Sequence, residues 1–155
     1  MTTQSASPLA GIKILDLTSV IMGPVCTQIL AGYGAEVIKV EPPEGDIMRH
    51  AGAMFLHSNR GKRSVVVDLK SELGRRQIAD LLRDCDVLVH NIRTVAIARL
   101  GLDAETVMRE RPDLVYAELT GYGVGGPYGD RPAFDDVIQA ESGLASLFSR
   151  QTGGA

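Results

Sequence analysis

Two short aliphatic runs joined by a single helical stretch occupy the first forty residues, and they leave little freedom of fold. Gly11-Ile12-Lys13-Ile14-Leu15-Asp16-Leu17 reads as a strand that ends at Thr18-Ser19. Gly23-Pro24 then opens a stretch with helical spacing through Gln28, Ile29 and Leu30, which Gly32 and Gly34 can close by taking a left-handed conformation. Glu36-Val37-Ile38-Lys39-Val40 is a β-branched run closed by Glu41-Pro42-Pro43. Two strands joined by one helix over so short a span must lie parallel with a right-handed crossover, so this segment already specifies a βαβ unit.

The same rhythm continues. Ser64-Val65-Val66-Val67-Asp68 reads as a third strand and Ser71 as the N-cap of a helix whose apolar stripe is Leu73, Ile78, Leu81 and Leu82. Val87-Leu88-Val89-His90 is a fourth strand. A short helix over 96–100 ends at Gly101, and Asp103 caps another that runs to Glu110 before Arg111-Pro112 breaks it. Leu114-Val115-Tyr116-Ala117-Glu118-Leu119 is the fifth strand, 121–132 a glycine-rich loop, and 134–148 the last helix, with Val137, Ile138, Leu144, Ala145 and Phe148 facing inward. Residues 42–61 carry little periodicity and read as a surface connection, longer than usual and therefore suspected of function. Strands alternating with helices in this way predict an α/β fold with an open, mostly parallel sheet and helices on both faces. The 155 residues fit one domain. Its body spans 9–148, preceded by a flexible 1–8 and followed at 149–155 by the start of a linker.

Composition removes several classes of function. A formal charge of −3 offers no electrostatic footprint for nucleic acid or an anionic membrane surface. No window approaches the ~20 apolar residues of a membrane span, and residues 1–8 lack the charged and apolar regions of a secretory signal, so a cytoplasmic protein is expected. Cys26 and Cys85 stand far apart without a CxxC, and His50, His57 and His90 form no spaced ligand set. Both cysteines read as ordinary buried thiols, and no metal site is expected.

In sheets of this kind ligands bind beyond the carboxyl ends of the strands, which nominates 19–23, 68–70, 91–93 and 121–126. The first of these loops lacks the GxGxxG spacing that lets a pyrophosphate approach a helix N-terminus, so a dinucleotide cofactor is not supported. Glu41 stands where such a cofactor's ribose ligand would be; without the glycines it reads as a solvated strand-end carboxylate. Arg60, Lys62 and Arg63 cluster before the third strand, while Lys70, Arg93 and Arg99 follow the third and fourth. A small polyanion would suit these cations, and solvated surface charge is the plainer alternative. Asp130, Arg131, Asp135 and Asp136 bracket the start of the last helix, where carboxylates cap amides and favour the dipole. The 121–126 glycines could admit a ligand against their amides or serve only as a flexible turn.

Taken together, Leu9-Ala10-Gly11-Ile12-Lys13-Ile14-Leu15-Asp16-Leu17, Gly23-Pro24, Gly34-Ala35-Glu36-Val37-Ile38-Lys39-Val40-Glu41, Asn59-Arg60-Gly61-Lys62-Arg63-Ser64, Asp68-Leu69-Lys70 and Gly121-Tyr122-Gly123 resemble the family III CoA-transferases. That group includes formyl-CoA transferase and carnitine CoA-transferase, with α-methylacyl-CoA racemase as a relative. The likeness extends from Pro8 to about Phe148 and matches only the N-terminal part of the family, a Rossmann-like domain that binds CoA. It implies coenzyme A or acyl-CoA as substrate, with no prosthetic group, a carboxylic acid as acceptor, and an interlocked homodimer for the longer polypeptide.

Carried over by motif, the CoA-contacting positions are Ile21 and Met22 after the first strand, and Val67, Asp68, Leu69 and Lys70 after the third. Asn91, Ile92 and Arg93 follow the fourth, with Arg99 beyond, and then Arg131, Pro132, Ala133 and Phe134. Two departures stand out: Pro42 replaces a phosphate-binding arginine of formyl-CoA transferase, and Asn91-Ile92-Arg93-Thr94-Val95 replaces the common Asn-Phe-Arg-Pro-Gly. The family chemistry resembles nucleophilic catalysis by an aspartate. The resemblance places that aspartate beyond Ala155, so none of these residues is assigned a catalytic role and the chain alone is expected to be inactive. The racemase branch carries a His-Asp pair where this sequence has Phe134-Asp135, and phenylalanine cannot move a proton, which favours transfer over racemisation. A non-catalytic module for CoA or another nucleotide, a folded piece without a ligand, and an oxidoreductase-type domain are the competing readings.

Overall fold

The computed structural model describes residues 7–123, 125–129 and 131–153. In chain order the elements are β1 (Lys13–Leu17), α1 (Met22–Gly32), β2 (Glu36–Glu41), a 3-10 turn (Ile47–Ala51), α2 (Ala53–Asn59), β3 (Arg63–Val66) and α3 (Glu72–Arg83), followed by β4 (Val87–His90), α4 (Thr94–Arg99), α5 (Ala104–Glu110), β5 (Val115–Glu118), α6 (Asp135–Glu141) and α7 (Leu144–Thr152). The five strands form one sheet in the order β3-β2-β1-β4-β5, and every neighbouring pair is parallel. The expected open α/β sheet is therefore present. Winding reverses between β1 and β4, so their carboxyl ends open the crevice where such sheets take ligands.

Alternation along the strands sends side chains to two cores. Leu15, Leu17, Val40, Val67 and Leu88 pack with Ile78 and Leu82 of α3, Ile97 of α4 and Val107 of α5. Ile14, Val37 and Val89 pack on the opposite face with Leu30 and Ala31 of α1. Helices thus cover both faces, as parallel strands require. The caps read from the sequence hold: Ser71 Oγ accepts from Gly74 N at 2.9 Å, and Asp103 Oδ1 accepts from Thr106 N at 3.0 Å.

Several local expectations change. Residues 42–61 are not a plain surface connection: they contain the 3-10 turn and α2, which packs on α1. Leu73 is exposed, and the buried position in that first turn of α3 is Gly74. The single helix over 134–148 is two helices, parted where Gly143 takes φ 78°, a left-handed conformation that ends one helix and starts the next. Leu144, Ala145 and Phe148, read as inward, are exposed on α7, and the helix continues to Thr152 into the stretch read as the start of a linker. Cys26 is exposed, because α1 buries Gly23, Pro24 and Thr27 and turns residue 26 outward; Cys85 is buried. Residues 1–6 of the expected flexible N-terminus, Val124 of the glycine loop, Asp130 of the expected cap, and 154–155 lie outside the described residues.

Candidate functional site

The carboxyl rim of the sheet carries a cleft of about 450 Å³. Its walls come from the ends of four strands. They are Leu17, Thr18 and Ser19 after β1; Lys39, Val40 and Glu41 of β2 with the Pro42–Ile47 lip beyond it; Val67, Asp68, Leu69 and Lys70 after β3; and Ile92 after β4, with Leu100 behind. A volume of this size suits a small ligand or one end of a larger one.

Below the cleft, on the α1 face, the strands change from aliphatic to charged. Asp16, Lys39 and Glu41 are each about 1% exposed or less, and each is met by a residue from the 42–62 connection. Lys62 Nζ lies 2.9 Å from Asp16 Oδ2, Lys39 Nζ 2.8 Å from Asp46 Oδ2, and Arg49 Nε 2.6 Å from Glu41 Oε2. Burying charge is tolerated only with such partners. The connection is thus docked by three ion pairs, which explains why it showed no apolar period. Two readings from the sequence are corrected here. Glu41 is not solvated: one carboxylate oxygen accepts from Arg49 and Ser64, the other from Arg49 and the Asp46 N–H, so neither is free for a ribose. Lys62 is not part of a surface cation cluster, since its ammonium also donates to Pro24 O and Asn59 Oδ1 and its side chain is 1% exposed.

Burial pushes the Glu41 carboxyl up, but hydrogen bonds from Arg49, Ser64 and the Asp46 N–H outweigh it and hold the group at about 2, against an ordinary 4.5. A depressed carboxyl stabilises the fold fully above its unfolded pKa and loses that contribution as pH falls through the folded one. Urea midpoints of the wild-type chain should therefore drop between pH 4.5 and about 2. The Glu41→Gln variant should be less stable at neutral pH and lose less over that interval; equal slopes would contradict the assignment.

The turn between β1 and α1 is pinned from three sides. Asp16 Oδ1 accepts from Thr18 N and from the Thr18 hydroxyl, while Asp16 Oδ2 accepts from Thr27 Oγ1 at 2.6 Å. Lys39 Nζ donates to Thr18 O at 2.8 Å. From β4, Asn91 Oδ1 accepts from Ser19 N and Asn91 Nδ2 donates to Ser19 O, both at 2.9 Å. Inside this frame Val20 sits at φ 71°, the one non-glycine with positive φ among the described residues. A β-branched side chain there is costly, on the order of 1–3 kcal/mol.

His90, at the end of β4, is completely buried, and both of its ring nitrogens are engaged within the protein. Its Nδ1 accepts from Ile92 N at 3.3 Å, which leaves Nε2 to carry the proton and donate to Tyr116 Oη at 2.7 Å; Tyr116 Oη in turn donates to Leu102 O at 2.8 Å. Burial pushes its pKa down, with Glu118 opposing. The ring therefore acts as a neutral strut under the 91–93 turn. Among the described residues no group of three or more His, Cys, Asp and Glu is placed to hold a metal, and no helix is long and apolar enough to cross a membrane.

None of the described residues of the nominated 121–126 loop lines the cleft, and the positions carried over from the resemblance fall into three sets. Val67, Asp68, Leu69, Lys70 and Ile92 line the cleft directly. Ile21 and Met22 follow Ser19 and Val20 on the pinned turn and are exposed, Asn91 holds that turn, Arg93 precedes α4, and Arg99 ends it next to the lining Leu100. Arg131, Pro132, Ala133 and Phe134 are not brought to the cleft wall. They lie before α6, where the Arg131 guanidinium stands 4.2 Å from the Tyr128 ring centroid and Phe134 is exposed. Asp135 and Asp136 occupy the first turn of α6 and accept from Gln139 Nε2 and Val137 N. The lip from Pro42 to Ile47 lies in the 42–61 connection suspected of function, although none of its residues is nominated as a contact from the sequence. Its signal was the Pro-Pro-Glu-Gly turn, closed by Gly45 N to Pro42 O at 2.8 Å, directly after a strand.

A parallel sheet wound in this order, with a cleft at its carboxyl rim, is shared by many nucleotide-binding proteins, so the geometry alone selects no family. The profile of CoA-transferase family III matches residues 9–154. The chain belongs to that family. Among its family III relatives, an acyl-CoA transferase of Fusarium pseudograminearum is 42% identical over 97% of this chain and 37% of its own length. A probable fatty acyl-CoA transferase of Mycobacterium tuberculosis is 39% identical over 94% of this chain and 39% of its own. A succinate–glutarate CoA-transferase of Agrobacterium fabrum is 39% identical, with 94% and 40% covered. The crystal structure of the M. tuberculosis protein superposes with a TM-score of 0.86 over 90% of this chain and 41% of that one. The chain thus spans about two-fifths of the length of the family III relatives it matches.

Proposed function

We propose that the carboxyl rim binds coenzyme A and its acyl thioesters, and that these 155 residues supply the CoA-binding part of a family III transferase that passes CoA to a carboxylic acid. The observation that carries this reading is the cleft beside the β1/β4 switch point, in a chain that belongs to CoA-transferase family III. Its chemistry suits the ligand. Leu17, Val67, Ile92 and Leu100 offer an apolar wall for a pantetheine arm, while Lys70 at the mouth offers a cation for phosphate. Ile21, Met22 and Arg93 extend the surface on the β1 and β4 side, where Asn91 holds the turn, with Arg99 and residues 131–134 further along the CoA path. The relatives' names, acyl-CoA transferase and succinate–glutarate CoA-transferase, support a thioester donor and a carboxylate acceptor.

In the reaction, a carboxylate attacks the thioester carbonyl and expels CoA thiolate, leaving an acyl anhydride. The thiolate returns to the enzyme's side of the anhydride, releasing the acyl group as its acid and forming an enzyme thioester from which the acceptor acid takes CoA. Asp135 and Asp136 each bind a neighbour on α6 through one oxygen and neither lines the cleft, so we place the nucleophile in polypeptide beyond these residues. The longer polypeptide would act as a cytoplasmic homodimer, with exposed Leu144, Leu147 and Phe148 of α7 among the surfaces it covers.

Titration calorimetry on the folded chain tests this. CoA should bind saturably at one site, and Lys70→Ala should weaken it about tenfold, the scale of one charge-assisted contact. A folded chain that gives no heat with CoA, or binds a nicotinamide dinucleotide more tightly, would overturn the reading. Mixed with acyl-CoA and succinate, the chain alone should give no transfer; turnover would contradict the placement of the nucleophile.

A further inference from the structure

The pinned β1–α1 turn carries one more assignment, which rests on the CoA-binding reading above. Nothing in Ser19-Val20-Ile21-Met22 favours a left-handed residue, because its second position is β-branched and has no glycine or asparagine beside it. The conformation is imposed from outside. Thr18 is held by Asp16 and Lys39, and Ser19 is held at both its N–H and its carbonyl by the two ends of the Asn91 amide. Those two bonds use both faces of the side chain's function, acceptor and donor, on the turn. An aspartate could accept from Ser19 N but would face Ser19 O with a second acceptor, so the pairing is specific to the amide.

We propose that Asn91 is a positioning residue: its side chain clamps Ser19 across the β1/β4 switch point and thereby holds the strained Val20 turn that presents Ile21 and Met22 to bound CoA. The strain is the signature of the clamp, since a backbone held in a sparsely populated region persists only where its surroundings over-determine it. Substituting Val20 by glycine removes the need for the clamp, because glycine takes positive φ without a steric penalty.

Four chains test it: wild type, Val20→Gly, Asn91→Ala and the double variant, each measured for CoA affinity and thermal midpoint. Asn91→Ala should weaken CoA about tenfold or more, and adding Val20→Gly should restore most of that loss. If Asn91 instead contacted the ligand with its side chain, the double variant would bind as weakly as Asn91→Ala, and the proposal would be overturned. Asn91→Asp should behave like Asn91→Ala; wild-type affinity there would also count against the clamp. The midpoints decide the matter independently of CoA. Val20→Gly should raise the midpoint by a few degrees in the wild-type background and by much less without Asn91, where Val20 has already relaxed. Equal gains in both backgrounds would refute the coupling. Failure of all four chains to bind CoA would sink the proposed function, leaving the clamp to be judged on the midpoints.

Discussion

Replacing Lys62 by methionine should cost the fold about 3–5 kcal/mol, the range for breaking a buried ion pair from one side. Asp16 and Lys62 are 0% and 1% exposed at their side chains, so no water can take the place of the missing ammonium. Burial pushes the Lys62 ammonium down even with Asp16 against it, so desolvation outweighs attraction. A buried pair of this kind fixes position more than it supplies stability, because desolvating two charges offsets most of their attraction. Removing both charges should accordingly recover most of the loss. In Asp16→Asn with Lys62→Met, the asparagine oxygen still accepts from Thr18, and its N–H₂ can donate to Thr27 Oγ1. That hydroxyl then turns its proton to Gly23 O or Pro24 O, each already 3.2 Å away. Urea denaturation checks both halves. A single variant within about 0.5 kcal/mol of wild type, the spread of ordinary surface changes, would refute the account of the 42–62 connection.

The second large effect is expected at Gly74. A Cβ built there would lie 1.9 Å from Asp68 O and 2.6 Å from Asp68 C, backbone atoms that no side-chain rotation can clear. The Gly74 N–H also carries the Ser71 cap, and Ser71 Oγ donates to Asp68 O at 2.8 Å. Alanine must push the start of α3 away from the β3 loop, at about 2–4 kcal/mol for overpacking plus a lost cap. Because Asp68, Leu69 and Lys70 wall the cleft, CoA affinity should fall with it. Ser71→Ala separates the two causes: it removes the cap and the hydroxyl's bond to Asp68 O for about 1 kcal/mol, but the Ser71 N–H still donates to Asp68 O at 3.0 Å and nothing is forced into the loop, so affinity should change far less. Wild-type stability in Gly74→Ala would show that the loop yields freely.

The parallel sheet was legible because its signal is local: β-branched runs, caps such as Ser71 and Asp103, and helices too long for a hairpin all act within a few residues. The charges were not. Period two puts Lys39 and Glu41 on the face of Val37, and Asp16 on the face of Ile14, so the pattern does place them in the α1 core. Which groups neutralise them depends on contacts up to 46 residues apart in the chain, as from Asp16 to Lys62, and spacing is silent on that. Glu41 was misread as solvated for the same reason. The rim positions after β1, β3 and β4 were legible from topology alone. The Pro42–Ile47 lip was not, since it becomes a wall only when Asp46 and Arg49 dock it onto β2. Leu144 and Phe148 show the converse error: helical spacing marks an apolar face but does not say what covers it.

The central claim is that CoA occupies the carboxyl rim, and mapping amide chemical shifts of the isotopically labelled chain during a CoA titration tests it most directly. The account predicts saturable shifts clustered at that rim: at Thr18, Ser19, Ile21 and Met22, at Glu44 through Ile47, at Val67 through Lys70, at the 91–93 turn, and at Arg99, Arg131, Ala133 and Phe134 along the CoA path. A folded spectrum that CoA leaves unchanged, or shifts at the opposite rim around Gly11, Gly34 and Asp86, would contradict it.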